Sequence, residues 1–108
     1  MNTLEKIIIA ENPKTSPFML DELADDKSLL VLLQVTGNPE TTSSTLFRLS
    51  KHDNQEVLLR VGIHPSTEEN TLKKMYSIYQ YKWVNELVKQ RLGLEKLEGI
   101  LEQERKEL

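Results

Sequence analysis

At 108 residues the chain can bury one modest core but not two. An apolar share of 38% excludes outright disorder, and 29% charged residues with a net charge of −3 argue against coating nucleic acid or anionic membrane over the whole surface. The absence of cysteine removes disulfides, thiolate catalysis and cysteine-ligated zinc or iron–sulfur sites, and fits a reducing, cytoplasmic setting.

The first apolar run, Ile7-Ile8-Ile9-Ala10, is too short for a spanning helix or signal-peptide core, so no membrane role is expected. Thr3 to Glu11 reads as the second helix of an incomplete repeat, with Thr3 as its N-cap. Asn12-Pro13-Lys14-Thr15, Asn38-Pro39-Glu40-Thr41 and His64-Pro65-Ser66-Thr67 then begin 26 residues apart. The residue before a proline is pushed out of the α region, so Asn12, Asn38 and His64 should each end a helix. Thr15, Thr41 and Thr67 are the expected N-caps of the next helices, with Pro17 in the first turn of one of them.

Behind these motifs the apolar residues keep step. Leu20, Leu46 and Leu72 align, as do Leu23, Leu49 and Met75, then Val31 with Val57 and Val35 with Val61. Phe18, Met19, Leu20 and Leu23 mark one helix; Leu46, Phe47 and Leu49 mark the next. Polar turns at 25–28 and 51–54 lead to second helices over 29–36 and 55–62. Leu29-Leu30-Val31-Leu32-Leu33 is apolar on all sides and reads as a covered central element, whereas Arg60 should leave its counterpart more exposed.

After Met75 the pattern changes. Glu68 to Arg91 can run as one long capping helix, which Gly93 weakens or ends. Leu87, Leu94, Leu101 and Leu108 lie seven apart, and with Leu97 they suggest a short coiled coil or homodimer seam. The expected architecture is an all-α, right-handed helical-repeat solenoid. It has a half repeat at 1–11, repeats at 12–37 and 38–63, a partial repeat from 64, and a C-terminal capping helix beyond 76.

This pattern resembles the variant leucine-rich repeat family, whose paired short helices are related to HEAT-like repeats. The family order of Asn-Pro-x-Thr, Leu-x-x-Leu-Ala, an acidic turn and spaced valines is met by Asn12 to Thr15, Leu20, Leu23-Ala24, Asp26, Val31 and Val35. Asn38 to Thr41, Leu46, Leu49, Val57 and Val61 meet it again. Coverage is roughly residues 5–76. Leu32 and Leu58 stand where the family often has arginine, and His64 replaces the third asparagine. The resemblance implies a solenoid and a binding-scaffold role and supplies no catalytic residue. The iron–sulfur cluster of some members cannot be carried over without cysteine.

Few residues carry chemistry of their own. His52, Asp53, Glu56 and His64 lack metal-ligand spacing and read as structural. Asp21, Glu22, Asp25 and Asp26 form an acidic patch, read as a solvated face with a basic partner as the lesser alternative. Tyr76, Tyr79 and Trp83 share a helical face and should pack on the repeats, leaving Tyr81 exposed for a partner. Residues 1–70 hold six basic and eleven acidic groups, whereas 71–108 hold eight and six. Lys73, Lys74, Lys82, Lys89 and Arg91 make the segment after Thr71 locally basic. The function expected is a non-enzymatic protein-binding adaptor, with no cofactor and no metal. Its partner would meet Lys73, Lys74, Tyr81, Lys82, Lys89 and Arg91. Nucleic acid binding through the same residues is the alternative.

Overall fold

The computed structural model describes residues 1–79 and 81–107, and the side chains at 94–98, 100 and 101 lie outside the description. Within it the chain is all-helical, as expected: α1 (Thr3–Glu11), α2 (Pro17–Leu23), α3 (Leu29–Gly37), α4 (Ser43–Leu49), α5 (Gln55–Ile63), α6 (Glu69–Ile78), α7 (Lys82–Leu92) and α8 (Leu94–Glu107). Two compact units divide it, Met1–Glu68 and the segment from Glu69 onward.

Helix starts in the first unit recur at a fixed interval. α1, α3 and α5 are each nine residues long and begin 26 residues apart; α2 and α4 are each seven long and also begin 26 apart. α3 packs against both α1 and α5, while α2 lies on α1 and α3, and α4 on α5. The aligned apolar residues meet between these helices. Leu20, Val31, Val35, Leu46, Val57 and Val61 are fully buried, and Leu23 and Leu49 nearly so. Truncating any of the buried leucines to alanine costs about 2–5 kcal/mol, a large part of a small domain's stability.

The turns explain why the motif has these residue types. Asn12 and Asn38 end α1 and α3 with extended backbones, and their Oδ1 atoms each accept the amide two residues on, at 2.9 Å from Lys14 and Glu40. His64 ends α5 in the same way, its Nδ1 accepting the Ser66 amide at 3.0 Å. The motif threonines are not the N-caps that their position suggested. Thr15, Thr41 and Thr67 instead donate their hydroxyls six residues back, to the carbonyls of Ile9, Val35 and Val61. Ser16 and Thr42, one residue later, cap α2 and α4, and Asn2 rather than Thr3 caps α1. Each of these last-turn carbonyls also accepts the amide of the C-cap residue, so the threonine hydroxyl supplies a second donor.

Successive turns are also bonded to each other. Asn38 Nδ2 donates to the carbonyls of Ala10 at 2.7 Å and Asn12 at 2.9 Å. His64 Nε2 lies 2.8 Å from the Asn38 carbonyl oxygen. Both side chains are buried, so these bonds satisfy groups that water cannot reach.

Three further expectations need correction. α3 is not covered on all sides: Val31, Leu32, Val35 and Thr36 are buried, but Leu29 and Leu30 are exposed. Nine residues on a two-layer support have only one buried stripe, however apolar the rest. Phe18 is solvent-exposed, not part of the α2 core, because Leu20 and Leu23 already fill the inward face. Finally, the long helix expected from Glu68 to Arg91 is two helices, α6 and α7, separated around Tyr79 and Tyr81.

The segment from Glu69 consists of α6, α7 and α8, with Tyr79, Tyr81 and Gly93 outside the helices and α7 packed against α6 and α8. Among its described residues, Thr71, Leu72, Met75, Val84 and Val88 are buried. Gly93 ends α7 at φ 83°, a left-handed conformation that the other residue types rarely adopt.

Candidate interaction surfaces

Most of the polar groups singled out in the sequence are held by neighbours. His64 uses both ring nitrogens, on Ser66 and Asn38, which leaves none for a metal. His52 accepts the Asn54 amide at 3.1 Å through Nδ1 and sits 3.6 Å from the Asp53 carboxylate. Among the described residues no group of three His, Asp or Glu side chains could hold a metal ion.

The acidic patch is largely paired within the chain. Asp21 accepts the Thr45 hydroxyl at 2.6 Å and the Arg48 guanidinium at 2.8 Å; Arg48 also reaches Asp25 at 2.7 Å. The Thr45 hydrogen bond, then Arg48, holds the Asp21 carboxyl below its ordinary value, and Asp21 in turn raises Arg48. Lys6 lies 2.7 Å from Asp26, and this bond, helped by the Ser28 amide, lowers Asp26 likewise. These carboxylates tie α2 to α4 and its own turn to α1, which weakens the case for an acidic docking surface.

The first unit also exposes apolar side chains. Leu4 is 65% exposed, Ile8 53%, Leu30 58% and Ile63 57%, with Leu59 exposed beside them. Leu4 and Ile8 stand one turn apart on α1, as do Leu59 and Ile63 on α5. Ile7, Leu33 and Leu59 occupy one position of the 26-residue register, and Leu4 and Leu30 another, so the same outward rows carry apolar side chains on adjacent helices. Arg60 interrupts the rows on α5. Its guanidinium donates to the Leu33 carbonyl at 3.2 Å and pairs with Glu56 at 3.5 Å. Leu30 belongs to the run expected to be covered, whereas Leu59 belongs to the run expected to be more exposed, and it is; recurrence outside the buried Leu and Val register is the sequence signal for both.

The predicted partner residues of the second unit lie on two helices. Lys73 and Lys74 are on α6, and Lys82, Lys89 and Arg91 on α7. Lys73 pairs with Glu69 at 3.2 Å and Lys89 with Glu86 at 3.6 Å. Lys73 and Lys74 also line an open groove shared with Ser77, Gln103, Glu104 and Glu107. Lys74, Tyr81 and Lys82 are exposed.

The aromatic residues are arranged differently from the expectation. Tyr79, Tyr81 and Trp83 stack in series, with ring centroids 6.3 Å and 6.1 Å apart and planes 11° from parallel in both steps. Tyr81 has an extended backbone, φ −74° and ψ 133°. Trp83 already lies in the first turn of α7, and Tyr81 just before that helix carries the ring between Tyr79 and Trp83. The period-two order Tyr-x-Tyr-x-Trp is the sequence signal against a continuous helix across these residues.

The leucine seam is not continuous. Leu87 lies on α7 and is half-buried, on the far side of the Gly93 break from α8. Leu108 and the side chains of Leu94, Leu97 and Leu101 lie outside the described residues. No described helix is long and apolar enough to cross a membrane. Compared with known proteins, the chain matches no family model, no curated protein and no solved structure.

Proposed function

We propose that the chain is a non-enzymatic protein-docking module, a small right-handed solenoid of paired helices similar to the variant leucine-rich repeat. Its outward α1–α3–α5 face receives an apolar helical surface of a protein partner. The carrying observation is the row of exposed Leu4, Ile8, Leu30, Leu59 and Ile63 on three helices whose inward faces are already filled. Clustered exposed apolar side chains of this kind mark interaction sites, while scattered ones do not.

Magnitudes set the size of the contact. Completing the burial of each half-exposed leucine or isoleucine is worth about 1 kcal/mol. Five such residues fall short of the roughly 8 kcal/mol of a micromolar complex, before association costs. Ile7, Leu33 and the polar rim, including the Glu56–Arg60 pair, must therefore share the interface.

The test compares retention of native-cell proteins on the wild type and on Ile8→Glu/Leu30→Glu. Both positions are exposed, so the variant should melt with the wild type while losing the proteins that the wild type retains. Equal retention by a folded variant would remove this face from consideration.

A further inference from the structure

We propose that the Tyr79–Tyr81–Trp83 stack, with Lys82 beside it, is a binding site for single-stranded nucleic acid. The inference rests on the second unit alone and is independent of the protein-docking face.

Three observations carry it. The rings are not the buried residues of their segment: Val84 and Val88 are fully buried on α7, while Tyr81 is 39% exposed and Tyr79 and Trp83 are half-buried. An exposed ring, Tyr81, within a near-parallel aromatic series suits bases, which stack irrespective of sequence. The repeat of 6.1–6.3 Å is close to two nucleotide stacking steps of about 3.4 Å, so a strand following the stack meets a ring at every second step. Around the rings the chain is depleted of negative charge. No carboxylate occurs between Glu69 and Glu86, a stretch that holds Lys73, Lys74 and Lys82.

The cations do not contribute equally. Lys73 is paired with Glu69 and shares its groove with Glu104 and Glu107, and Lys89 is paired with Glu86. Lys82, exposed and placed between Tyr81 and Trp83 in sequence, is the residue assigned to phosphate. With one or two phosphates neutralised, the logarithm of affinity should fall with that of salt at a slope of only about −0.7 to −1.4. Stacking dominates this site, and charge assists.

The experiment uses the chain's single tryptophan, Trp83, as the reporter. A homothymidine or homoadenosine oligomer is titrated into the full chain at two salt concentrations, following Trp83 fluorescence, with a duplex as control. Saturable quenching by the single strands, a shallow salt slope and weaker duplex binding are expected. Tyr81→Ala should weaken binding by about five- to a hundredfold, the value of one stacked base. Tyr81→Phe should restore it, and Lys82→Glu should weaken it and flatten the salt slope. Tyr81 makes no side-chain cap bond to α7, so its replacement leaves the helix start intact. Absence of quenching overturns the proposal. So does binding that is equal for duplex, or that Tyr81→Ala leaves unchanged, as a purely electrostatic or protein-directed surface would show.

Discussion

His64 Nε2 sits 2.8 Å from the carbonyl oxygen of Asn38, the residue that stands 26 positions earlier in the same turn. The Ser66 amide points at the other ring nitrogen, so the proton is on Nε2 and the imidazole is neutral. One nitrogen accepts where asparagine uses Oδ1, and the other donates where asparagine uses Nδ2. Histidine is thus an isofunctional replacement in this turn.

His64→Asn should therefore change stability by less than about 1 kcal/mol, because both bonds can be remade. His64→Leu should cost about 2–3 kcal/mol, leaving the Ser66 amide and the Asn38 carbonyl without these partners. Urea denaturation at neutral pH measures both. Equal losses for the two variants would show that ring packing, not hydrogen bonding, holds the turn.

Asn38→Ala removes more. It deprives the carbonyls of Ala10 and Asn12 and the amide of Glu40 of a partner at a buried position. We expect a loss of about 2–4 kcal/mol. Asn12→Ala should cost less, since Asn12 is exposed and its side chain serves the Lys14 amide.

The acid limb of the stability curve should depend on Asp21 and Asp26. Both carboxyls are held below their ordinary value in the folded chain, so each contributes stability above the unfolded carboxylate range. That contribution is lost as pH falls below about 4 and through the folded values. Asp21→Asn and Asp26→Asn should lower the melting temperature at pH 7 and have less effect near pH 3. Arg48→Met should act similarly, by about 0.5–1 kcal/mol at pH 7, since its pairs are partly solvated. A variant deficit that stays constant down to pH 3 would contradict the assignment.

Gly93→Ala should destabilise the second unit by about 1 kcal/mol. No atom lies near the added Cβ, so the whole cost is the left-handed backbone at φ 83°. Gly93→Asn should lose as much, because ψ 163° lies outside the left-handed helical region that asparagine tolerates. Helical circular dichroism during melting measures both, and a variant as stable as the wild type would contradict the assignment.

Much of the first unit was legible in the sequence because period and chemistry agree there. Proline fixes where each helix ends, and the buried leucines and valines fall on the register that the motifs define. Cap positions were misread by one residue. A hydroxyl near a helix start can accept from the next helix or donate to the last one, and Thr41 does the second. Exposure on α3 was not legible, since Leu30 and Leu32 are the same residue type on opposite sides of a short helix. In the second unit, aromatic residues two apart fit a helix face poorly and an extended link well. Only the backbone at Tyr81 decides between them.

The bonds between successive turns have a direction. Asn38 reaches Ala10 and Asn12, Arg48 the Asp21 carbonyl, Arg60 the Leu33 carbonyl and His64 the Asn38 carbonyl; in each case the donor comes later in the chain than the acceptor. A chain leaving the ribosome therefore finds each acceptor already synthesised when its donor emerges. Assembly from the N-terminus can lock these bonds one turn at a time, the Lys6–Asp26 pair, whose donor comes first, being the exception.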